Sequence, residues 1–204
     1  MKTLIIIDVQ NDFLPGGPLE VPQGNLIVPV INEIQSCFDL IVATQDWHPE
    51  NHYSFASNHF GKKPFDKIYL RGGQQTLWPD HCIQGSRGAE LLKDIESTRI
   101  AAIFRKGMDP EIDSYSGFYD NNHKLSTGLS GYLRERGVNE IHFCGLAADI
   151  CVYYSIMDSI LEGFSATLVE DATMPLFPDK FDDIKCELAK LGVHIISSKE
   201  LQVN

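Results

Sequence analysis

The chain has 204 residues, 43% of them hydrophobic and 22% charged, enough apolar material for a packed core and too little charge for a disordered chain. Its 17 basic residues against 28 acidic ones leave a formal charge of −11, which argues against a nucleic-acid partner needing a basic face. No apolar run approaches the roughly 20 residues that a membrane span requires, so a membrane partner is not expected either.

The N-terminal apolar stretch is short and interrupted by Asp8, unlike a secretory signal, and five scattered cysteines without CxxC spacing fit reduced thiols. Both features lead to the expectation of a cytoplasmic protein. The sequence leaves homo-oligomerisation open.

Taken in order, Leu4 to Ile7 is a branched apolar run, as in a strand buried on both faces of a parallel sheet. Ile27, Val30, Ile31, Ile34 and Phe38 recur at helical spacing, and Leu40 to Ala43 gives a second strand. A stretch from 46 to 98 follows, rich in Pro, Gly, His and Asn, with one short helix expected around Ala89 to Ile95. So long a connection in a compact domain is usually functional. Ile100 to Phe104 reads as a strand, Ser126 to Arg136 as a helix closed by Gly137, and Ile141 to Cys144 as a strand. A helix over 151 to 163, a strand at Thr167 to Val169, a helix from Asp179 to Leu191 and a strand at Val193 to Ile196 complete the chain. The alternation predicts one α/β domain over 1–204: a doubly wound sheet of about six mainly parallel strands, with helices on both faces and a long insertion at about 46–98.

In open α/β sheets ligands bind beyond the carboxyl ends of the strands. Asp8, Asp46, Lys106 and Cys151 all fall at that edge, each following a different strand, which points to one site. A thiol at a strand-turn-helix junction is placed for nucleophilic attack, with the helix dipole favouring thiolate and free amides available to an oxyanion. Taken singly, Cys151 reads as well as a buried packing residue. Asp8 breaks an apolar strand and needs a partner, which Lys106 would supply; the pair is either an acid–base device or a structural ion pair. Asp46-Trp47-His48 places a carboxylate and an imidazole two residues apart, and with His81 they make a donor set for Zn²⁺, Fe²⁺ or Mn²⁺. His52 and His59 are further loop candidates; His123, His142 and His194 read as structural or surface residues.

Five segments then carry a resemblance. They are Ile7-Asp8-Val9-Gln10-Asn11-Asp12-Phe13, Gln45-Asp46-Trp47-His48-Pro49-Glu50-Asn51-His52, Trp78-Pro79-Asp80-His81-Cys82, Arg105-Lys106-Gly107 and Gly145-Leu146-Ala147-Ala148-Asp149-Ile150-Cys151-Val152. In this order they resemble the nicotinamidases (pyrazinamidases) of the isochorismatase-like hydrolase superfamily, over nearly the whole chain. The resemblance implies the isochorismatase-like hydrolase fold and a catalytic triad of Asp8, Lys106 and Cys151. It further implies one divalent metal, zinc foremost, on Asp46, His48 and His81. A cis peptide before Ala147 would let the Ala147 and Cys151 amides form an oxyanion hole. Phe13 and Trp78 would sandwich a pyridine ring, with Leu19 and Tyr115 beside it.

Some members use a further metal-site side chain eight residues after the aspartate; here that position is Ser54, which leaves Ser54 through water, or His52, to complete the shell. The implied reaction is hydrolysis of nicotinamide to nicotinate and ammonia through a thioester, in NAD salvage, with pyrazinamide also accepted. Isochorismate hydrolysis is disfavoured by Cys151, and carbamoyl or ureido hydrolysis by the metal motif. A non-catalytic metal-binding protein on the same fold is the alternative of another class.

Overall fold

The computed structural model describes residues 1–70 and 73–201. In chain order its elements are β1 (Thr3–Ile7), α1 (Ile27–Ile34), β2 (Leu40–Asp46), β3 (Lys67–Leu70), β4 (Gly73–Thr76), β5 (Ile100–Lys106) and α2 (Leu129–Glu135), then β6 (Glu140–Leu146), α3 (Tyr153–Leu161), β7 (Ser165–Met174), α4 (Phe181–Lys190) and β8 (His194–Ile196). Six strands form one sheet in the order β5-β2-β1-β6-β7-β8, with every neighbouring pair parallel.

The alternation of side chains along β1 builds two cores. Leu4 and Ile6 pack toward Ile27, Ile31 and Ile34 of α1, whereas Ile5 and Ile7 pack with Leu129, Leu133, Ile156 and Leu188 from α2, α3 and α4. All four β1 side chains are at most 1% exposed, and burial of each contributes about 1.5–3 kcal/mol. The doubly wound sheet with helices on both faces is therefore as the patterning predicts.

The order reverses between β1 and β6: the chain goes from β1 to β2 on one side and from β6 to β7 on the other. Such a reversal leaves a crevice beyond the carboxyl ends of the two central strands. Gly145, in β6, has φ +109°, and a Cβ there would stand 2.1 Å from Ile7 O, so close approach of the strands at this point requires glycine.

Two expectations about the long connection fail. The helix around Ala89 to Ile95 is absent. Its backbone bonds instead to the segment after β1, with Asn11 N donating to Glu90 O (3.2 Å), Asp12 N to Gly88 O (3.1 Å) and Leu92 N to Val9 O (2.9 Å); tertiary pairing overrides local propensity. The same connection contains an unforeseen antiparallel hairpin, β3–β4, with Lys67 opposite Thr76.

Candidate active site

Asp8 follows β1 with φ +46° and is fully buried. Thr44, on the adjacent β2, orients it: the Asp8 amide donates to Thr44 Oγ1 (3.2 Å) and that hydroxyl donates to Asp8 Oδ1 (2.6 Å). Asp46 and Lys106 end β2 and β5 and are register partners. Lys106 Nζ lies 2.5 Å from Asp46 Oδ1 and 3.0 Å from Asp8 Oδ2. It donates to Ser114 O (2.9 Å) and faces Cys151 Sγ at 3.5 Å. Cys151 sits in one wide, π-type turn, Ala148–Val152, between β6 and α3. Its carbonyl accepts the Ser155 hydroxyl (2.6 Å), and it is 7% exposed. A carboxylate, an ammonium and a thiol that are distant in sequence thus converge. The Leu146–Ala147 peptide is cis.

Burial sets the electrostatics. It lifts Asp8 above the usual carboxylate range, against the pull of Lys106. Burial opposes ionisation of Asp46 too, yet Lys106 and His48 hold it well below that range. Lys106 resists desolvation because Asp46 and Asp8 keep its ammonium charged, well above the ordinary lysine value. Burial also pushes the Cys151 thiol well up, with Lys106 acting the other way. Burial thus opposes the help that Lys106 gives the thiolate, and a base beside the sulfur would assist its attack.

His48 Nε2 and His81 Nε2 approach Asp46 Oδ2 at 3.4 and 3.8 Å, all three residues being buried. His48 Nδ1 donates to Gly107 O (2.9 Å) and His81 Nδ1 to Pro79 O (2.8 Å). Each imidazole thus spends one nitrogen on a carbonyl and turns the other toward the carboxylate, the usual arrangement of a metal-ligating histidine. The donor atoms lie within 4.8 Å of one another, so these residues fit one divalent cation. His52 and Ser54 bond to each other, Nδ1 to Oγ at 2.7 Å, while His52 Nε2 is buried without a hydrogen-bond partner. Burial and the neighbouring His48 charge push His52 down to about 4.

One cavity touches both groups. Phe13, Leu19, Trp78 and Tyr115 line it, together with Asp46, His81, Ala147 and Cys151. Sequence reasoning missed Val21, Asp113, Ile150 and Leu176, which share the lining. Asp113 lies in a segment without periodicity, but its carboxylate accepts Gln75 Nε2 (2.9 Å) and the Ser114 amide (2.8 Å). Gln10 was also passed over; it accepts the Asp46 amide and donates to the Asp46 and Ala89 carbonyls, each at 2.8 Å.

An open parallel sheet that gathers a thiol, an acid and an amine at its switch point is the equipment of a nucleophilic hydrolase. The isochorismatase domain model matches residues 2–200, and the chain belongs to that family. It is 45% identical to the nicotinamidase of Acinetobacter baylyi, over 98% of this chain and 94% of that one. The structure of an Acinetobacter baumanii nicotinamidase/pyrazinamidase superposes with a TM-score of 0.94 at 43% identity, covering 98% of this chain and 97% of the other. The pyrazinamidase of Pyrococcus horikoshii in complex with zinc superposes with a TM-score of 0.80 at 34% identity, covering 96% and 98%.

Proposed function

We propose that the chain is a nicotinamidase, an amidase that hydrolyses nicotinamide to nicotinate and ammonia in NAD salvage and also accepts pyrazinamide. The observation that carries the reading is the convergence of Asp8, Lys106 and Cys151 beside the Asp46–His48–His81 group, in a cavity of aromatic walls.

In this reading Asp8 takes the proton from Cys151 Sγ as the sulfur attacks the carboxamide carbon. Lys106 keeps Asp8 and Asp46 compensated and steadies the charge that develops on sulfur. The oxyanion is met by the backbone amides of Ala147 and Cys151. Asp8 then gives its proton to the departing nitrogen, ammonia leaves, and the acyl group remains on sulfur as a thioester. Asp8 then deprotonates a water that attacks the thioester carbon; the C–S bond breaks, nicotinate leaves, and the proton on Asp8 returns to Cys151 Sγ. Phe13 and Trp78 flank the ring, and Leu19 and Tyr115 close its sides. Asp46, His48 and His81 would hold a divalent ion, zinc by analogy with the Pyrococcus structure, which would supply a Lewis acid to bind and orient the ring nitrogen. Ser54 and His52 hydrogen-bond each other, and either His52, whose Nε2 has no partner and which groups with His48 and Asp113, or Ser54 through water would complete the shell. Five free thiols accord with a cytoplasmic location.

Ammonia release from nicotinamide, pyrazinamide and a carbamoyl amide tests the assignment. Turnover of the first two, abolished by Cys151→Ala, is expected; release only from the carbamoyl compound, or from none, would overturn it.

A further inference from the structure

Asp113 is a buried carboxylate, 6% exposed, and among the described residues no lysine or arginine forms an ion pair with it. Its oxygens accept only neutral donors: Oδ1 the Ser114 amide (2.8 Å) and Oδ2 the Gln75 side-chain amide (2.9 Å). A carboxylate kept inside by neutral donors alone is costly to hold as an anion, and a cation beside it would offset that cost.

The groups able to hold such a cation stand next to it. Donor atoms of Asp113, His48 and His52 lie within 4.8 Å of one another, all three residues being buried. His52 Nε2 is the buried ring nitrogen without a hydrogen-bond partner among the described residues. Gly107 O occupies His48 Nδ1, so His48 has its Nε2 left to offer, the same atom that it turns toward Asp46. The Asp46–His48–His81 and His48–His52–Asp113 groups therefore meet at one imidazole nitrogen and describe one cation position with donors on two sides.

The placement of Asp113 depends on a distant element. Gln75 belongs to β4, opposite Ile68 of β3, and is half-buried. Its Nε2 donates to Thr76 O (2.8 Å) and to Asp113 Oδ2, with Tyr115 OH 3.4 Å away. One amide is thus tied to its own strand while it grips a loop 38 residues further along the chain. The neighbour of Asp113, Ser114, gives its carbonyl to Lys106 Nζ (2.9 Å), so the loop held by Gln75 also faces the catalytic ammonium.

We propose that Gln75 is a positioning residue that holds Asp113 on the His48–His52 side of the cation site, so that the β3–β4 hairpin sets how tightly the site keeps its metal. This deepens the cation-site reading above and rests on it. Gln75 touches no reacting atom; it acts through the carboxylate, as the outer hydrogen-bond partners of metal sites do.

The test measures zinc affinity of the stripped protein by competition with a chromophoric chelator, for wild type, Gln75→Met, Asp113→Asn and the double variant. Gln75→Met and Asp113→Asn should each weaken zinc binding about 10–100-fold. On the Asp113→Asn background, Gln75→Met should change it by less than about twofold, because a residue acting through Asp113 has nothing left to position. Gln75→Asn keeps the amide but stops one methylene short of Asp113; it should weaken binding like Gln75→Met and replaces it if the methionine variant does not fold. Wild-type zinc affinity in the Gln75 variants, or a further tenfold loss when Gln75→Met is added to Asp113→Asn, would overturn the positioning role. A wild-type protein that binds no zinc would overturn the cation site itself, and this role with it.

Discussion

Lys106 Nζ and Asp46 Oδ1 meet at 2.5 Å, and the same ammonium stands 3.0 Å from Asp8 Oδ2. One buried cation thus joins the acid–base pair to the cation-binding group, and the two halves of the site share a single charge balance. Replacing it with an apolar isostere strands two carboxylates in the interior. Lys106→Met should cost about 3–5 kcal/mol of stability, seen in denaturant unfolding, and should abolish turnover. An unchanged unfolding midpoint would show that the carboxylates find compensation elsewhere.

Cys151→Ala separates chemistry from recognition. Turnover should fall to background while nicotinamide still binds in calorimetry with an affinity within a few-fold of wild type. Substantial residual ammonia release from this variant would refute covalent catalysis.

Metal removal should act differently. After chelation and dialysis, nicotinamide binding and turnover should disappear together, and added zinc should restore both. Undiminished binding to the stripped protein would dissociate the Asp46–His48–His81 group from substrate recognition.

Gly107 has φ +66°, and a Cβ there would lie 2.3 Å from His48 Cε1 and 2.6 Å from its Nδ1. Gly107→Ala should therefore displace the ring and weaken zinc binding about 10–100-fold, measured by competition with a chromophoric chelator. Wild-type zinc affinity in the variant would count against His48 as a ligand.

Far from the site, the Glu162 carboxylate accepts Ser130 Oγ (2.5 Å), Tyr119 OH (2.6 Å) and Arg134 Nη2 (2.7 Å). The Ser130 and Tyr119 hydroxyls, with help from Arg134, draw it down to about 2 from an ordinary value of 4.5. A depressed folded-state value stabilises fully above 4.5, and the effect is lost as pH falls toward 2. Glu162→Gln should lower the melting temperature by at most about 2–4 °C at neutral pH, since the pair is partly wet. The difference from wild type should shrink on acidification; a pH-independent difference would assign the effect to packing.

The strand ends were legible because a doubly wound sheet turns short apolar runs into fixed positions. Once Leu4–Ile7, Leu40–Ala43, Ile100–Phe104 and Ile141–Cys144 read as parallel strands, Asp8, Asp46, Lys106 and Cys151 had to share an edge. The long connection was not legible in the same way. Residues 67–70 and 73–76 pair antiparallel although Gly73-Gln74-Gln75-Thr76 has no apolar alternation, and 88–92 are held by partners nearly eighty residues earlier. Asp113 and Leu176 reach the cavity from loops, whose placement depends on contacts such as those of Gln75 and Asp149 that leave no periodic trace.

The depth at which Cys151 sits has a practical consequence for anyone labelling this protein. Cys186 is exposed and Cys37 half-buried, whereas the sulfur at position 151 is enclosed. The first equivalent of a bulky alkylating reagent will mark α4, and loss of activity will lag behind incorporation. Only small, ring-shaped electrophiles that enter as the substrate does will reach the nucleophile first.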